Sequence, residues 1–464
     1  MRHALVKILS PADEITPPYG LGYLASATRD AGHDPFIIDA LKERLDEKAL
    51  VGRLASLSVA MVGVLLFSKD VVPVRSLFRA LRMRLPGVFT MVGGPHPSAV
   101  PEDTFSFFGD ALDYAFTGES ETGLPRFLSA LEEGRREHFP EIPGLAWRDG
   151  DGIRRNPKTL PEDVDSLEVA WDLIHPDTYP RSPHGAFFRQ FPVAPIVVTR
   201  GCPFHCTFCA AECVSGRRIR RRSVGNVISE IRMLRERFGV REIHVEDDNF
   251  TGDRSYVREF CDSLSRECPG TTWTCPNGVR LDTLDRETLE MMKASGLYFL
   301  SVGIESGSDR VLSRMRKSLN VSQIEEKVRL IHASGIGISG FFMLGFPGET
   351  REEMEETVRL ALRLPLSRAS FANFQPFPGC EEYRSLRESG MLTVDWERFA
   401  PSLQSTSWSP DGIRLEDLRR FRKTALLRFY ARPAVAWGMI REIRSVEHAL
   451  YIARRGWRWL TIPE

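Results

Sequence analysis

Cys202, Cys206 and Cys209 stand in the run Gly-Cys-Pro-Phe-His-Cys-Thr-Phe-Cys, directly after a short apolar stretch. Three thiolates this close can hold three corners of an iron–sulfur cube. The fourth iron then has no protein ligand and stays open to a substrate or a second cofactor, whereas a four-cysteine cluster is usually confined to electron transfer. The competing reading of the cysteines alone is a structural zinc site. Zinc sites more often close a tetrahedron with paired Cys-x-x-Cys or Cys/His sets, and no matching second pair follows.

The elements that must position these thiols come in two alternating blocks. Apolar runs Leu5–Leu9, Phe36–Ile38, Val59–Phe67, Phe89–Val92 and Tyr114–Phe116 read as buried strands, separated by amphipathic stretches such as Leu21–Ala31 and Val72–Leu85. This predicts an α/β, Rossmann-like, doubly wound parallel sheet over residues 1–138. Ligands of such sheets bind at the carboxyl ends of the strands. Those ends carry Pro17-Pro18-Tyr19-Gly20-Leu21-Gly22, Gly93-Gly94-Pro95-His96-Pro97 and Thr117-Gly118-Glu119. Residues 139–192 lose the periodicity and read as a linker with a small hairpin.

Alternation resumes over residues 193–385. Strands are expected at Ile196–Thr199, Glu242–Val245, Thr271–Thr274, Tyr298–Ile304, Ile336–Leu344 and Ala369–Phe374, with helices between them. Six such units predict a partial (β/α)6 barrel. The cysteine loop then follows its first strand, at the end where barrel active sites lie. Ser322 with Glu325, and Thr350 with Glu353, read as capping boxes. Residues 386–464 read as a helical C-terminal region.

The 464 residues suffice for two or three domains. Formal net charge is zero, so nothing draws the whole chain toward nucleic acid. None of the eight cysteines falls in the first 200 residues, which is no secreted disulfide framework. No apolar run reaches the roughly 18 residues of a spanning helix, and the N-terminus reads as a strand without signal-peptide anatomy. These features point to a soluble cytoplasmic protein with an oxygen-sensitive site.

A Cys-x-x-x-Cys-x-x-Cys loop after the first strand of a six-strand βα domain resembles the radical S-adenosylmethionine (radical SAM) superfamily, over roughly residues 190–385. The resemblance implies a [4Fe–4S] cluster on Cys202, Cys206 and Cys209, with SAM chelating the open iron. One electron, from a reductant such as flavodoxin or ferredoxin, would cleave SAM to methionine and a 5′-deoxyadenosyl radical. That radical would abstract hydrogen from a small-molecule substrate. By the same resemblance the backbone of Phe208 meets the adenine, and Glu246, Asp247 and Asp248 end the strand that binds the SAM amino group. Gly303, Glu305 and Ser306 hold the ribose or methionine part, and Gly345 opens the Gly-Phe-Pro-Gly-Glu-Thr motif after the fifth strand. Arg220 or Arg222 pairs with the SAM carboxylate, unless both belong to a solvated basic patch. Asn277 and Arg280, close to the end of the third strand, are candidate substrate contacts.

The first block resembles the cobalamin-binding-type domain fused ahead of many radical SAM enzymes. This assigns Tyr19, Gly20, Gly93, Gly94, His96, Gly118 and Glu119 to cofactor-bearing loops. The Asp-x-His-x-x-Gly motif that supplies a lower histidine to cobalamin is missing, so cobalamin binding stays open, and His96 reads as a loop residue more than a cobalt ligand. Cys380 stands where relatives commonly carry Thr after Pro-Gly. It is a candidate hydrogen-atom donor to a product radical, or a buried, inert thiol. The stretch Trp437–Leu460 reads as a lid or a membrane-touching helix.

With cobalamin, the resemblance implies carbon methylation or a rearrangement, in natural-product (antibiotic) biosynthesis. Without it, the alternative is radical dehydration of an aminoglycoside-like sugar diol. An iron–sulfur electron-transfer or redox-sensing protein is the reading of a different class.

Overall fold

The computed structural model describes residues 1–10, 15–150, 152–180, 188–399, 401, 407–443, 446, 448–450 and 452–453. The chain divides into two compact units, one comprising residues 1–175, 209–220 and 377–400, the other 176–208, 221–376 and 401–464.

The first unit is built on a seven-stranded sheet of order β2-β1-β3-β4-β5-β6-β7. Its strands are β1 (Arg2–Lys7), β2 (Asp34–Asp39), β3 (Met61–Leu65), β4 (Phe89–Gly93), β5 (Tyr114–Phe116), β6 (Leu145–Asp149) and β7 (Gly152–Arg155). The first five are parallel. Strands buried on both faces need apolar residues at consecutive positions, which is why they read as unbroken runs. The register aligns Val6 with Val64, Val64 with Val92 and Val92 with Ala115, so the loops at the carboxyl ends emerge level. Helices α1 (Tyr19–Asp30), α2 (Glu47–Leu57), α3 (Val71–Arg84) and α4 (Gly123–Glu132) connect this block. The core gathers Leu21, Met91, Tyr114, Phe116, Phe127 and Phe139.

The segment expected to be a linker with a small hairpin does hold a hairpin, but one built into the first sheet. β6 and β7 pair antiparallel and extend the first sheet beyond β5, and the first unit runs on to His175. Its alternation is weak because β7 lies at the sheet edge and is largely exposed.

The second unit carries a six-stranded parallel sheet in which each strand neighbours its sequence successor: β8 (Val193–Ile196), β9 (Glu242–Val245), β10 (Thr272–Val279), β11 (Leu297–Glu305), β12 (Gly337–Leu344) and β13 (Arg368–Asn373). The first and last strands do not pair, so the barrel is open. Helices α5 (Val224–Phe238), α6 (Arg254–Glu267), α7 (Arg286–Ala294), α8 (Val321–Ala333) and α9 (Arg351–Arg363) alternate with the strands. Inside, Phe250, Phe260 and Trp273 meet edge to face, and Phe342 stacks on Phe371 at 5.0 Å.

Three further expectations shift. β8 begins three residues earlier than its hydrophobicity suggested; it is an edge strand, where Pro195 is tolerated although it has no N–H to donate. The capping box of α8 is Asn320 with Gln323, not Ser322 with Glu325, whereas Thr350 and Glu353 do cap α9. Residues 377–400, including helix α10 (Glu381–Glu388), belong to the first unit, so the barrel unit leaves the chain at Pro376 and regains it at Pro401. Helices α11 (Leu415–Tyr430) and α12 (Pro433–Glu442) follow in the second unit. The expected lid or membrane helix falls partly on residues 444–464, many of which lie outside the described residues.

Candidate active site

Cys202, Cys206 and Cys209 are thiols on one loop, none in a disulfide, and none buried. Burial raises the Cys202 thiol above its ordinary pKa, the charge of Asp248 pushes it the same way, and that of Arg280 acts in the opposite sense. Among the described residues no three His, Cys, Asp or Glu side chains converge on a metal position. The donor chemistry nevertheless fits an iron–sulfur cluster, since thiolate is its ligand and a nine-residue run supplies three.

Three contacts dock the first part of this loop. The Arg280 guanidinium lies 3.5 Å from the centroid of the Phe204 ring. Thr207 donates its N–H to the Met315 carbonyl at 3.2 Å. The Lys317 Nζ lies 6.0 Å from the Phe208 ring. The approach to the loop is fixed from beneath by Asp247, whose two oxygens accept the backbone N–H of Val198 and of Thr199, both at 2.7 Å. Asp247 is 3% exposed, and burial pushes its carboxyl up to about 7. It therefore holds the end of β8, with both oxygens engaged by backbone donors. Of the acidic run, Asp248 is exposed, whereas Glu246 is buried and its carbonyl accepts from the Asn277 side chain at 2.9 Å.

At the end of β11, Glu305 adopts φ +66, a left-handed conformation uncommon for a residue other than glycine. Its carboxylate pairs with Lys317 at 2.8 Å, both nearly buried. A Cβ on Gly303 would stand 2.5 Å from the Glu305 carboxylate and 2.6 Å from Lys317, so this glycine makes room for the pair. Ser306 is fully buried, 3.2 Å from the Thr357 hydroxyl, and it accepts the Ser308 N–H. At Gly345 (φ +75) the space of a Cβ is filled by Leu418 of α11. The next turn is closed by Glu349, one of whose oxygens accepts the N–H groups of Gly345 and Phe346 at 2.6 and 3.0 Å. Its other oxygen is buried with no hydrogen-bond partner among the described residues, and desolvation raises the group to about 8.

Both arginines expected at the SAM carboxylate are engaged elsewhere. Arg220 forms a buried bidentate pair with Glu119 and also donates to the carbonyls of Pro161 and Ser215. Arg222 binds Glu230, Asn226 and the Val197 carbonyl. Arg280 is 7% exposed and held by Asp282 and the Lys317 carbonyl, so it supports the cluster loop in place of the expected substrate contact. Cys380 is 1% exposed; its sulfur accepts the Tyr383 N–H as the N-cap of α10, and burial pushes its thiol up to about 12. These contacts are those of a buried helix-capping thiol.

In the first unit, Tyr19 and Gly20 open α1, with Gly20 exposed and clear of neighbours. Ser98 ties two loops together, donating to the Gly94 carbonyl and accepting the Gly118 N–H. Gly94 and Gly118 both have positive φ, and Lys158 packs against Gly118. Gly93 ends β4 and is half-buried. His96 is 1% exposed, shares a hydrogen bond with Ser68, and lies edge to face with Trp396 at 4.6 Å. Burial lowers it to about 3, so it is neutral, and it is closed off from any ligand at the surface. The sheet and its level loops fit a cobalamin domain; His96 does not fit the lower ligand.

Lys317, Phe204 and Trp396 were not singled out in the sequence. Lys317 lies in a segment with no motif, and nothing local pairs it with Glu305.

Residues 196–361 match the radical SAM superfamily model, and residues 6–128 match the B12 binding domain model. The chain thus carries a radical SAM domain with a B12-binding domain ahead of it. An uncharacterised methyltransferase of Pyrococcus horikoshii is 29% identical over 451 residues, covering 96% of this chain and 93% of the relative. The cytidylyl-2-hydroxyethylphosphonate methyltransferase of Streptomyces wedmorensis is 28% identical, covering 84% and 83%. The fold is also that of TsrM, a radical SAM methyltransferase of Kitasatospora setae solved with tryptophan and a SAM analogue. Its TM-score is 0.68 at 20% identity, over 85% of this chain and 78% of that one. No helix of the described residues is long and apolar enough to cross a membrane.

Proposed function

We propose that this radical SAM enzyme is a cobalamin-dependent methyltransferase that methylates a small molecule of natural-product metabolism, with its cluster on Cys202, Cys206 and Cys209. The observation that carries this is the alignment of both domains, together and in order, with methyltransferases over most of each chain. When bound, the cluster, SAM and cobalamin supply the radical and the methyl carrier.

The chain's own residues hold and shield. Asp247 fixes the strand end that leads into the cysteine loop, and Arg280, Met315 and Lys317 fix its next residues. The Glu305–Lys317 pair and the Glu349 turn form a dry, rigid floor at the ends of β11 and β12. Asp248 is the exposed acid of its run.

The test is anaerobic turnover of the reconstituted protein with cobalamin, SAM and a strong reductant, against a panel of candidate substrates. Methyl loss from SAM leaves S-adenosylhomocysteine, and reductive cleavage leaves 5′-deoxyadenosine with methionine. Methylation requires the first product with a methylated substrate. Formation of 5′-deoxyadenosine and a dehydrated product alone, from protein that retains no cobalamin bands after gel filtration, overturns the methyltransferase reading.

A further inference from the structure

Between two cluster cysteines lies Phe204, and an arginine far away in sequence lies over it. We propose that Arg280 is a positioning residue with two separable actions: its planar face clamps the Phe204 side of the cysteine loop, and its charge sets the reduction potential of the cluster. The inference rests on the cluster reading of Cys202, Cys206 and Cys209.

The clamp follows from geometry. Guanidinium carbon and ring centroid are 3.5 Å apart, a close cation–π contact on a half-buried ring. The guanidinium cannot swing away, because Asp282 accepts from its Nε and Nη2 at 2.9 and 2.8 Å, and the Lys317 carbonyl accepts from Nη2 at 2.9 Å. One face thus supports the loop while the edge is anchored to two residues outside it.

The electrostatic action follows from placement. Reduction adds one negative charge to the cluster, so a nearby buried cation stabilises the reduced form and raises the potential. Arg280 lies over Phe204, which stands two residues from Cys202 and two from Cys206, so its charge sits beside the cluster loop. The Asp282 counter-charge does not cancel this: its side chain is 33% exposed, against 8% for Arg280, so water screens it more.

Full-length protein, reconstituted anaerobically with iron and sulfide, separates the two actions. EPR-monitored redox titration reads the potential, and iron transfer to a ferrous chelator reads the clamp. Arg280→Gln is expected to lower the potential and to release iron several-fold faster. Arg280→Lys keeps the charge but loses the planar face, so it should hold the wild-type potential and still release iron faster. Asp282→Asn leaves Arg280 over the ring without its counter-charge, which should raise the potential; this serves if Arg280→Gln does not fold. Equal potentials in wild type, Arg280→Gln and Asp282→Asn overturn the inference, as does an Arg280→Lys that matches Arg280→Gln in potential. Wild-type protein that forms no cluster at all overturns the underlying reading as well.

Discussion

Arg220 donates to both carboxylate oxygens of Glu119, at 2.7 and 2.6 Å, with each side chain only 5% exposed. Two residues that separately suggest a SAM contact and a cobalamin contact are thus each other's partner. Removing one leaves the other charged and buried, at a cost of about 3–5 kcal/mol. Arg220→Met and Glu119→Gln should each lower stability by that order in urea unfolding, and Arg220→Met with Glu119→Leu should recover much of it. SAM affinity of the folded Arg220→Met protein should stay within about twofold of wild type; a tenfold loss would return Arg220 to the SAM site.

Asp247 gives a second test, because its two acceptor oxygens are matched to two backbone donors. Asp247→Ala leaves the N–H groups of Val198 and Thr199 buried and unsatisfied, each at about 1–3 kcal/mol. Asp247→Asn retains one acceptor and should lie between. Iron content after reconstitution should fall in the same order as stability, since the strand end leads into the cysteine loop. An Asp247→Ala protein of full stability that has lost only SAM binding would instead make this acid a ligand contact.

The strands and helices of both units were legible because parallel strands buried on both faces are unbroken apolar runs, and the helices between them keep one apolar stripe. β6 and β7 were legible only as a small hairpin in a linker; that they extend the first sheet was not, since β7 is exposed along much of its length at the edge. The loop motifs were legible as locations, and the cysteine spacing as chemistry. Pairings across sequence were hidden. Nothing near Arg220 names Glu119, 101 positions away, and nothing near Phe204 names Arg280. Acids and arginines at strand ends therefore looked available for ligands when many of them hold the loops together.

Glu349 makes stability pH-dependent. Burial raises its carboxyl from about 4.5 to about 8, so the folded state binds a proton more tightly than the unfolded state does. The associated stability is fully present below about pH 4.5 and is lost as pH rises toward 8. Asp247 adds a slope of the same sign between about 4 and 7. Glu349→Gln removes the ionisable group while its carbonyl oxygen still accepts from Gly345 and Phe346. In urea unfolding at pH 5.5, 7 and 8.5, wild type should lose stability across both intervals, most from 5.5 to 7, and Glu349→Gln should lose clearly less. Parallel curves would mean that Glu349 is ionised in the folded protein.

Cys380 separates a structural thiol from a reacting one. Its sulfur caps α10 by accepting the Tyr383 N–H at 3.3 Å, and its position is sealed from solvent. A serine hydroxyl caps a helix at least as well, and an alanine loses the cap at about 0.5–2 kcal/mol. Cys380→Ser should therefore fold with near wild-type stability, and Cys380→Ala should be modestly weaker. A hydroxyl holds its hydrogen far more strongly than a thiol does, so a radical step that needed this thiol would stop in the serine variant. Product formation per 5′-deoxyadenosine should be unchanged in Cys380→Ser. If 5′-deoxyadenosine still forms while product disappears or changes stereochemistry, the buried cap opens during turnover and the thiol is the donor.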